Sequence, residues 1–411
     1  MERVVLVGLQ KAKEKRRAVE QSLSELAYLV ETAGGRVESA SIQKREKIDP
    51  AYFIGKGKAK EIADLVKTKG ISTVIFDDEL TPAQLRNLEN LIETKIIDRT
   101  RLILDIFAHR ARTREGILQV ELAQLTYLLP RLSGKGVIFS QQVGGIGTRG
   151  PGERELEYDR RHIRQRIFHL EKEIEKIRRN RFLQRRQRKE IPIIALVGYT
   201  NTGKSTLLNT LTKKNAVYVD DKLFATLDPT TRRINLPKGL AVLFTDTVGF
   251  IRKLPHHLVT AFRATLEEVK EADLIVHLID ISNPQWKEQE ITVNKVLKQL
   301  DAESKPRITV YNKLDLLSPA QRLSLVQRDR VLPISALTGE GVDELLNEIT
   351  KFLEKNLIPA EVIIPYTESK IISQIREKSI ILQEKYAPRA VSFHLKTDKQ
   401  MLSKLEKFIG K

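Results

Sequence analysis

Hydrophobic positions in residues 1–112 alternate between short continuous runs and a spacing of three to four residues. Continuous runs are typical of buried strands, and the wider spacing is typical of helices with one apolar face. Strands are predicted at 4–9, 36–42, 72–76 and 95–98, and helices at 14–33, 57–69, from Pro82 onward with Thr81 as N-cap, and 100–111. This alternation predicts a small parallel α/β unit over residues 1–112.

A different spacing characterises residues 113–190, where leucine and isoleucine recur alternately four and three positions apart. The two sets are Leu118, Leu122, Leu125, Leu129 and Leu132, and Ile163, Ile167, Leu170, Ile174 and Ile177. A period of about 3.5 residues predicts two helices that pack along a seam, here as an antiparallel coiled-coil hairpin that forms an arm. The link between them, 133–152, holds seven of the chain's 21 glycines, so we expect a tip whose backbone can approach another surface closely.

The remainder of the chain is predicted to form two further α/β domains. Apolar runs at 193–197, 242–245, 308–311 and 331–334 predict buried strands of a domain over 191–356. Residues 357–411 begin with Leu357-Ile358-Pro359 and predict a small C-terminal α/β domain, with a strand at 361–365, a helix at 368–385, a strand at 390–396 and a helix at 398–409. The predicted division is therefore 1–112, 113–190, 191–356 and 357–411, within the α/β class.

The charge balance is strongly basic and uneven. There are 71 Lys and Arg against 53 Asp and Glu, a formal net charge of +18, and residues 149–189 alone hold fifteen basic against seven acidic residues. Such an excess favours a polyanionic partner, either nucleic acid or an anionic membrane. The narrow heptad seam argues against an amphipathic membrane helix. The charge pattern therefore favours a nucleic acid, and peripheral membrane association stays open as an alternative.

Cysteine is absent, which excludes disulfides and thiolate metal sites and is typical of a reducing compartment. The N-terminal stretch has only a short apolar run followed by charged residues, unlike a signal peptide. No apolar run approaches the roughly 18 residues that a membrane span needs. We therefore expect a cytoplasmic protein without a transmembrane segment.

A phosphate-binding loop follows the predicted strand at 193–197. Its residues are Gly198, Tyr199, Thr200, Asn201, Thr202, Gly203, Lys204 and Ser205, which match the pattern GxxxxGKS between a strand and a helix. The glycines let consecutive backbone N–H groups surround phosphate oxygens, and the helix N-terminus adds its dipole. We expect Lys204 to reach the β- and γ-phosphates and the Ser205 hydroxyl to bind Mg²⁺.

Two further segments have the order of nucleotide-sensing loops. The strand 242–245 ends in Asp246, Thr247, Val248 and Gly249, and between the two loops lie Phe224, Ala225, Thr226, Leu227 and Asp228. Asp246 is expected in the Mg²⁺ shell and the Gly249 N–H on the γ-phosphate, so that Lys204, Asp246 and Gly249 form the candidate catalytic group. A switch needs a threonine that joins Mg²⁺ only with the γ-phosphate in place. We expect Thr226, with Thr230 and Thr231 as alternatives.

The remaining motifs concern the base. The strand 308–311 ends in Asn312, Lys313, Leu314 and Asp315, and Ser335, Ala336 and Leu337 follow the strand 331–334. A buried Asp315 carboxylate can accept hydrogen bonds from both N1–H and the N2 amino group of guanine, a donor pair that adenine lacks, so GTP and GDP are predicted rather than ATP. Lys313 can lie over the base, and a backbone N–H of 335–337 can meet the guanine O6.

Two positions bear on the rate of hydrolysis. Phe250 follows Gly249, where Ras-like proteins carry a glutamine that orients the attacking water. An apolar ring cannot orient water, so we expect slow turnover by the protein alone. Asn201 has two interpretations: an asparagine at this point resembles the potassium-dependent GTPases, in which case K⁺ is a cofactor, or it stabilises the loop.

Several segments together resemble the HflX family of ribosome-associated GTPases. They are FDDELTPAQLRNLE (76–89), DRTRLILDIFAHRARTREGILQVELAQL (98–125), GGIGTRGPGE (144–153) and FATLDPTTR (224–232). The GTPase motifs of 191–356 are similar to those of the translation-factor-related GTPases. The resemblance covers at least residues 1–356.

This resemblance implies a GTP hydrolase that binds the large ribosomal subunit and its rRNA in the GTP state, splits or rescues stalled ribosomes, and leaves after hydrolysis. It implies Ser205 and Thr226 as Mg²⁺ ligands and nucleotide contacts from 198–205, 224–228, 246–249, 312–315 and 335–337. We expect a monomer, no DNA partner, and faster turnover on the ribosome. An RNA-binding remodeller regulated by GTP is the alternative, less favoured because Asp77, Asp78 and Glu79 form no recognisable catalytic set.

Overall fold

The computed structural model describes residues 1–132, 151–186, 191–212, 223–224, 229–253, 268–326, 331–355 and 357–409. The chain forms two compact units. The first contains Met1–Arg181 and the described residues Leu223, Phe224 and 251–253, and the second contains 182–219, 229–250 and 266–411. The predicted division into four domains stays a proposal.

A four-stranded parallel sheet forms the centre of the first unit. Its strands are β1 (Arg3–Lys11), β2 (Arg36–Arg45), β3 (Thr73–Phe76) and β4 (Lys95–Asp98), in the order β2-β1-β3-β4. Helices α1 (Arg16–Thr32), α2 (Lys56–Lys69), α3 (Pro82–Ile92) and α4 (Arg99–Arg110) alternate with the strands. Val5 and Val7 of β1 and Phe76 of β3 pack with Ile62 and Leu88 into one apolar core. The predicted parallel α/β arrangement is confirmed.

The start of α3 follows the predicted capping chemistry. Thr81 is the N-cap, and its side-chain oxygen accepts a hydrogen bond from the backbone N–H of Gln84. The Gln84 side chain in turn accepts from the backbone N–H of Thr81, which completes a capping box with Pro82 at the first helical position. The backbone N–H groups of Thr81 and Gln84 are therefore both satisfied within one turn.

Buried charges meet at the carboxyl end of β3. Asp77 is 1% exposed, accepts hydrogen bonds from Arg99 Nη1 and Ser22 Oγ, both at 2.7 Å, and lies 2.5 Å from Lys253 Nζ. Although burial alone would raise the pKa of Asp77, the charges of Arg99 and Lys253 hold it below its ordinary value. Asp78 also pairs with Lys253, at 3.0 Å. These acids are therefore counter-ions within the fold.

The predicted helical hairpin consists of α5 (Arg114–Leu128) and α6 (Pro151–Arg186). Arg166 makes a bidentate contact with Glu121, at 2.7 and 2.9 Å, and Arg114 lies 3.5 Å from Glu173. Because rising residue numbers on one helix meet falling numbers on the other, the helices are antiparallel. Neither helix, nor any other in the described ranges, is long and apolar enough to cross a membrane.

The seam of the hairpin agrees with the heptad pattern, with one exception. Leu118 and Leu170 are buried, and Ile163, Ile167, Ile174 and Ile177 are half-buried on an otherwise largely exposed α6. The prediction was wrong at one end, because Leu129 and Leu132 lie in a 3-10 turn after α5 ends at Leu128. The predicted glycine-rich tip lies outside the described residues, apart from Pro151 and Gly152 at the start of α6.

A second face of α5 is buried as well. Val120, Ala123 and Tyr127 are each 5% exposed or less, and the Tyr127 hydroxyl donates to Asp98 Oδ1 at 3.0 Å. The Arg131 guanidinium lies 3.5 Å from the centre of the Tyr127 ring and donates to the backbone oxygen of Leu80. The first arm helix is thereby fixed to the end of the parallel sheet rather than projecting freely along its whole length.

A six-stranded sheet forms the centre of the second unit. Its strands are β5 (Ile193–Gly198), β6 (Thr230–Asn235), β7 (Ala241–Asp246), β8 (Leu274–Asp280), β9 (Arg307–Asn312) and β10 (Leu332–Pro333), in the order β10-β9-β8-β5-β7-β6. All neighbours are parallel except β6, which runs antiparallel to β7. Helices α7 (Lys204–Thr212), α8 (Trp286–Gln299), α9 (Pro319–Val326) and α10 (Val342–Glu354) accompany it.

The strand order places the candidate site. The chain leaves β5 towards β7 on one side and returns to β8 on the other, so the order reverses between β5 and β8. Open α/β sheets bind ligands outside the carboxyl ends of the strands at such a reversal. The loops after β5, β7 and β9 carry the phosphate-loop, Asp246–Gly249 and Asn312–Asp315 motifs, so all three begin at that edge.

The C-terminal part of the second unit corrects the sequence prediction. Helix α11 (Ser369–Lys378) ends seven residues before the predicted helix end at residue 385. Strand β12 (Ile380–Tyr386) follows it. Together with β11 (Ile358–Pro365) and β13 (Ala390–Thr397), β12 forms an antiparallel sheet in the order β11-β13-β12, closed by α12 (Lys399–Leu405). The predicted helix 368–385 was wrong after Lys378, because pairing with β13 outweighed a helical spacing that continues from Ile375 to Leu382.

Candidate nucleotide-binding site

Close backbone approach requires the glycines of the phosphate loop. A Cβ on Gly198 would lie 2.4 Å from the Leu278 backbone oxygen, and Gly203 has φ +90°, a left-handed conformation. The Thr202 hydroxyl donates to the backbone oxygen of Tyr199 at 3.0 Å, inside the loop. The sequence between β5 and α7 therefore folds into a tight turn.

Lys204 is buried within this loop. It is 6% exposed, and its Nζ donates to the backbone oxygens of Gly198 at 3.2 Å and Tyr199 at 2.8 Å. Burial lowers the pKa of Lys204 to about 8, and the charge of Lys313 adds to this, whereas Asp246 opposes it. The amine is thus held inside the loop by two backbone carbonyl oxygens.

Ser205 and Asp246 bring two oxygen donors together. The Ser205 hydroxyl donates to Asp246 Oδ2 at 2.5 Å, and Asp246 is fully buried. The Thr247 hydroxyl donates to the Leu196 backbone oxygen at 2.6 Å and so anchors the segment after β7 to β5. Hydroxyl and carboxylate oxygens are the ligands that Mg²⁺ prefers. The donor set fits that ion.

The segment after Asp246 is held directly on the phosphate loop. The backbone N–H of Thr200 donates to the oxygen of Phe250 at 2.8 Å, and the N–H of Phe250 donates to the oxygen of Gly198 at 3.1 Å. A Cβ on Gly249 would lie 2.8 Å from the Thr200 Cα. The Phe250 side chain is 1% exposed, so its ring is part of the core and is not available to orient water.

Asn312 connects the phosphate loop to the two base-recognition loops, the segments 312–315 and 335–337. Its side-chain Nδ2 donates to the backbone oxygen of Thr202 at 2.7 Å, and its Oδ1 accepts from the backbone N–H of Ala336 at 2.8 Å. Thr210 adds a third link, because its hydroxyl donates to the Ala336 oxygen at 2.6 Å. Since Asn312 is 1% exposed, this amide bridge is protected from water.

Asp315 is oriented by a neighbouring hydroxyl. The Ser335 Oγ donates to Asp315 Oδ1 at 2.6 Å. The carboxylate is half-buried. Leu314 is buried and anchors the turn, whereas Leu337 is 73% exposed. The Ser335 hydroxyl therefore fixes Oδ1 of Asp315, and this contact sets the orientation of the whole carboxylate.

The predicted switch residues are only partly described. Phe224 is buried in the first unit, with its ring edge-on to Phe107 at 4.7 Å between centroids. Ala225, Thr226, Leu227 and Asp228 lie outside the described residues. Of the alternatives to Thr226, Thr231 lies within β6. Its hydroxyl is 3.0 Å from that of Thr245 on the neighbouring strand β7, so it forms a hydrogen bond within the sheet.

Asn201 has a local backbone role. It is exposed and has φ +60°, in the left-handed region that asparagine adopts more readily than most residues. This observation favours the loop-stabilising interpretation. The potassium interpretation stays a prediction.

Two residues of the site were missed in the sequence. The Thr210 link and the ion pair of Asp280, the last residue of β8, with Lys313 depend on contacts with distant segments. Asp280 does have a local signal in the sequence, because it is an acidic residue at the end of the buried strand Leu274–Asp280. Polar residues at the carboxyl ends of parallel strands belong to the ligand-binding edge.

His277 on β8 makes the second unit sensitive to acid. It is 1% exposed, and neither ring nitrogen has a hydrogen-bond partner among the described residues. Burial, with the charges of Arg307 and Lys204, lowers the pKa of His277 to about 3. Between that value and about 6.5 the unfolded chain binds a proton that the folded chain does not, so stability falls with falling pH, by at most about 1.4 kcal/mol per pH unit.

We expect His277→Leu to lose less stability than the wild type between pH 7 and pH 5. Urea unfolding followed by fluorescence of Trp286, the chain's single tryptophan, measures this in the second unit. An equal loss in both proteins would show that His277 is not the titrating group.

The fold and this arrangement of loops define a P-loop GTPase, an enzyme that hydrolyses GTP. Four family models match consecutive parts of the chain. They are described as GTP-binding GTPase N-terminal (20–108), GTP-binding GTPase Middle Region (110–188), 50S ribosome-binding GTPase (193–313) and HflX C-terminal domain (321–411).

Individual relatives agree over nearly the full length. The chain is 48% identical over 410 residues to the GTPase HflX of Caldanaerobacter subterraneus subsp. tengcongensis. The aligned residues cover 99% of this chain and 94% of that protein. It is 44% identical over 369 residues to the GTPase HflX of Escherichia coli, covering 89% and 86%. A solved GTP-binding protein from Sulfolobus solfataricus in complex with GDP is 26% identical, covers 85% of this chain and 98% of that chain, and has a TM-score of 0.44. The chain belongs to the HflX family of GTPases.

Proposed function

We propose that this GTPase binds the large ribosomal subunit and its rRNA in the GTP-bound state, that this binding splits or rescues stalled ribosomes, and that GTP hydrolysis drives release. The observation that carries the proposal is the exposed basic surface of α6. Lys172, Lys176 and Arg179 lie at positions i, i+4 and i+7, on one face of that helix, and all three are exposed. The match of residues 193–313 to the 50S ribosome-binding GTPase model supports the same partner.

In this proposal each motif has one task at the nucleotide. Lys204 and the backbone of 198–205 bind the phosphates, and Asp315 with the backbone of 335–337 binds the guanine edge. Ser205 and Thr226 hold Mg²⁺, with Asp246 in its shell. When bound, the ion neutralises charge on the β- and γ-phosphates. The Gly249 N–H binds the γ-phosphate, so its contact is lost after hydrolysis.

Slow turnover without the ribosome follows from the same site. The Phe250 ring is buried, and it occupies the position from which a glutamine would orient water in Ras-like enzymes. We propose that the ribosome supplies or orders the missing group. A monomer that acts in the cytoplasm is sufficient for this task. The ion pairs of Asp77 with Arg99 and Lys253 give no support to an acid–base site in the first unit, which the RNA-remodelling alternative would need.

The test is co-sedimentation of the full-length protein with large ribosomal subunits. We expect pelleting with a non-hydrolysable GTP analogue, less with GDP, and little after residues 133–150 are replaced by a short Gly-Ser turn. Reversing the charges of Lys172, Lys176 and Arg179 to Glu should weaken binding. It should also reduce the slope of log K against log salt by about 2, at roughly 0.7 per lost phosphate contact on single-stranded RNA.

A matched control reverses Lys287, Lys295 and Lys298 on α8, which are also exposed and carry the same total charge. That variant should pellet like the wild type. If both triple variants lose binding equally, net charge rather than the arm is responsible. Pelleting that ignores the nucleotide would contradict the proposed switch.

A further inference from the structure

Lys313 makes an ion pair that the nucleotide motifs do not require. Its Nζ lies 2.8 Å from Asp280 Oδ2, and the two side chains are 22% and 13% exposed. Lys313 itself has φ +68°, in the left-handed region, immediately before the 3-10 turn Leu314–Leu316. The end of the Lys313 side chain therefore lies against Asp280, on the neighbouring strand.

Asp280 is itself fixed on its other side. Its Oδ1 accepts a hydrogen bond from the backbone N–H of Ser282 at 3.1 Å and from the Ser282 hydroxyl at 2.5 Å. The two carboxylate oxygens thus have separate partners. One oxygen holds the carboxylate in a local turn, and the other is directed at the Lys313 amine.

Strand register explains why these two residues meet. In the parallel pair β8–β9, Asp280 lies opposite Asn312, and the backbone N–H of Ile281 donates to the Asn312 oxygen at 3.2 Å. Lys313 therefore leaves β9 beside the end of β8. The contact joins two loops at the carboxyl edge of the sheet, where the base-recognition motif begins.

We propose that Asp280 is a positioning residue for guanine-nucleotide binding: it holds the Lys313 amine so that the aliphatic stem lies ready against the face of the base. The inference rests on the proposed role of Lys313 at the base. A free lysine must lose its rotamer freedom when nucleotide binds, and a lysine already held by Asp280 has lost it beforehand. Through Lys313, Asp280 affects the contact with the face of the base and not the contacts with the phosphates. The affinities for GDP and GTP are therefore raised equally.

The expected effect of Asp280→Asn is about three- to tenfold weaker binding of both GDP and a non-hydrolysable GTP analogue, the size expected from one long side chain that is no longer held. The kcat at saturating GTP should not change, because the lost interaction is uniform between ground and transition states. Asp280→Glu, which keeps the charge, should restore part of the affinity. Isothermal titration calorimetry of the full-length protein gives both dissociation constants.

Lys313→Met and the double variant separate positioning from a general structural role. If Asp280 acts through Lys313, Asp280→Asn should change the affinity for GDP by less than about twofold in the Lys313→Met background. The matched control is Asp301→Asn, which removes the same charge from an exposed ion pair with Lys270 at 3.3 Å and should leave both dissociation constants near those of the wild type.

Equal losses from Asp280→Asn in both backgrounds would overturn the inference, as would wild-type affinity in Asp280→Asn itself. A separate result identifies failure of the underlying proposal. If Lys313→Met binds GDP like the wild type, Lys313 does not contact the base, and the positioning role of Asp280 falls with it. Weaker binding by Lys313→Met with an unaffected Asp280→Asn leaves the base contact in place and overturns only the inference.

Discussion

Asp315→Asn is expected to weaken GDP and GTP binding by about 10²- to 10⁴-fold, since two hydrogen bonds to a charged acceptor contribute roughly 1.5–3 kcal/mol each. The same change should favour xanthine nucleotides. Xanthine carries a carbonyl oxygen where guanine carries the N2 amino group, and the new side-chain amide can donate to that oxygen. Calorimetric titration with GDP and XDP measures both effects on one protein.

Ser335→Ala is the matched control for this change. It removes the hydroxyl that donates to Asp315 Oδ1 at 2.6 Å but leaves the carboxylate in place. We expect a loss of about tenfold or less, as for one ordinary hydrogen bond, and no gain for XDP. GDP binding by Asp315→Asn at wild-type strength would show that the carboxylate does not recognise the base.

Gly203→Ala is expected to lower the affinity for GDP and GTP by at least about 100-fold, because it damages two parts of the site at once. The added Cβ would lie 2.3 Å from Asn312 Nδ2, and the glycine has φ +90°. Asn312 would have to move, and its hydrogen bonds to Thr202 and Ala336 would break. The phosphate loop would then lose its connection through Asn312 to the loops at 312–315 and 335–337.

The control for backbone strain is Gly239→Ala. Gly239 has φ +85°, nearly the same conformation, but a Cβ there meets nothing within 4 Å. This variant should lose a little stability and bind GDP like the wild type. Nucleotide dissociation constants and urea midpoints of both variants decide the point. Equal effects on GDP binding would show that strain, and not the displaced Asn312, is responsible.

The elements predicted correctly are those whose signals are local. Thr81-Pro82 marked the start of α3 because capping depends on residues within one turn. Strands β1 and β3 of the first unit were found because they are buried and their sequences are continuous apolar runs. The helix expected at 368–385 failed after Lys378 because the competing structure is a strand pairing with β13, about 10 residues away, and spacing alone contains no information on that pairing.

The arm shows the same limit. Its heptad spacing predicted both helices, and the ion pairs of Arg166 with Glu121 and Arg114 with Glu173 are what the antiparallel arrangement requires. The second buried face of α5, with Tyr127 bonded to Asp98, had no local signal. A helix buried on two faces differs little in sequence from one buried on a single broad face.

The segments 76–89, 98–125, 144–153 and 224–232 resemble the HflX family. Independently of that resemblance, the sequence by itself determined that this chain is a P-loop GTPase. The reason is that phosphate and guanine recognition depend on short contiguous segments, Gly198–Ser205 and Asn312–Asp315, whose order and spacing are visible without a fold. Only the tertiary structure decided how these segments hold one another. The Asn312 bridge to Thr202 and Ala336 and the ion pair of Lys313 with Asp280 join residues from 24 to 110 positions apart. Such contacts arise from the register of neighbouring parallel strands, which sequence spacing does not specify.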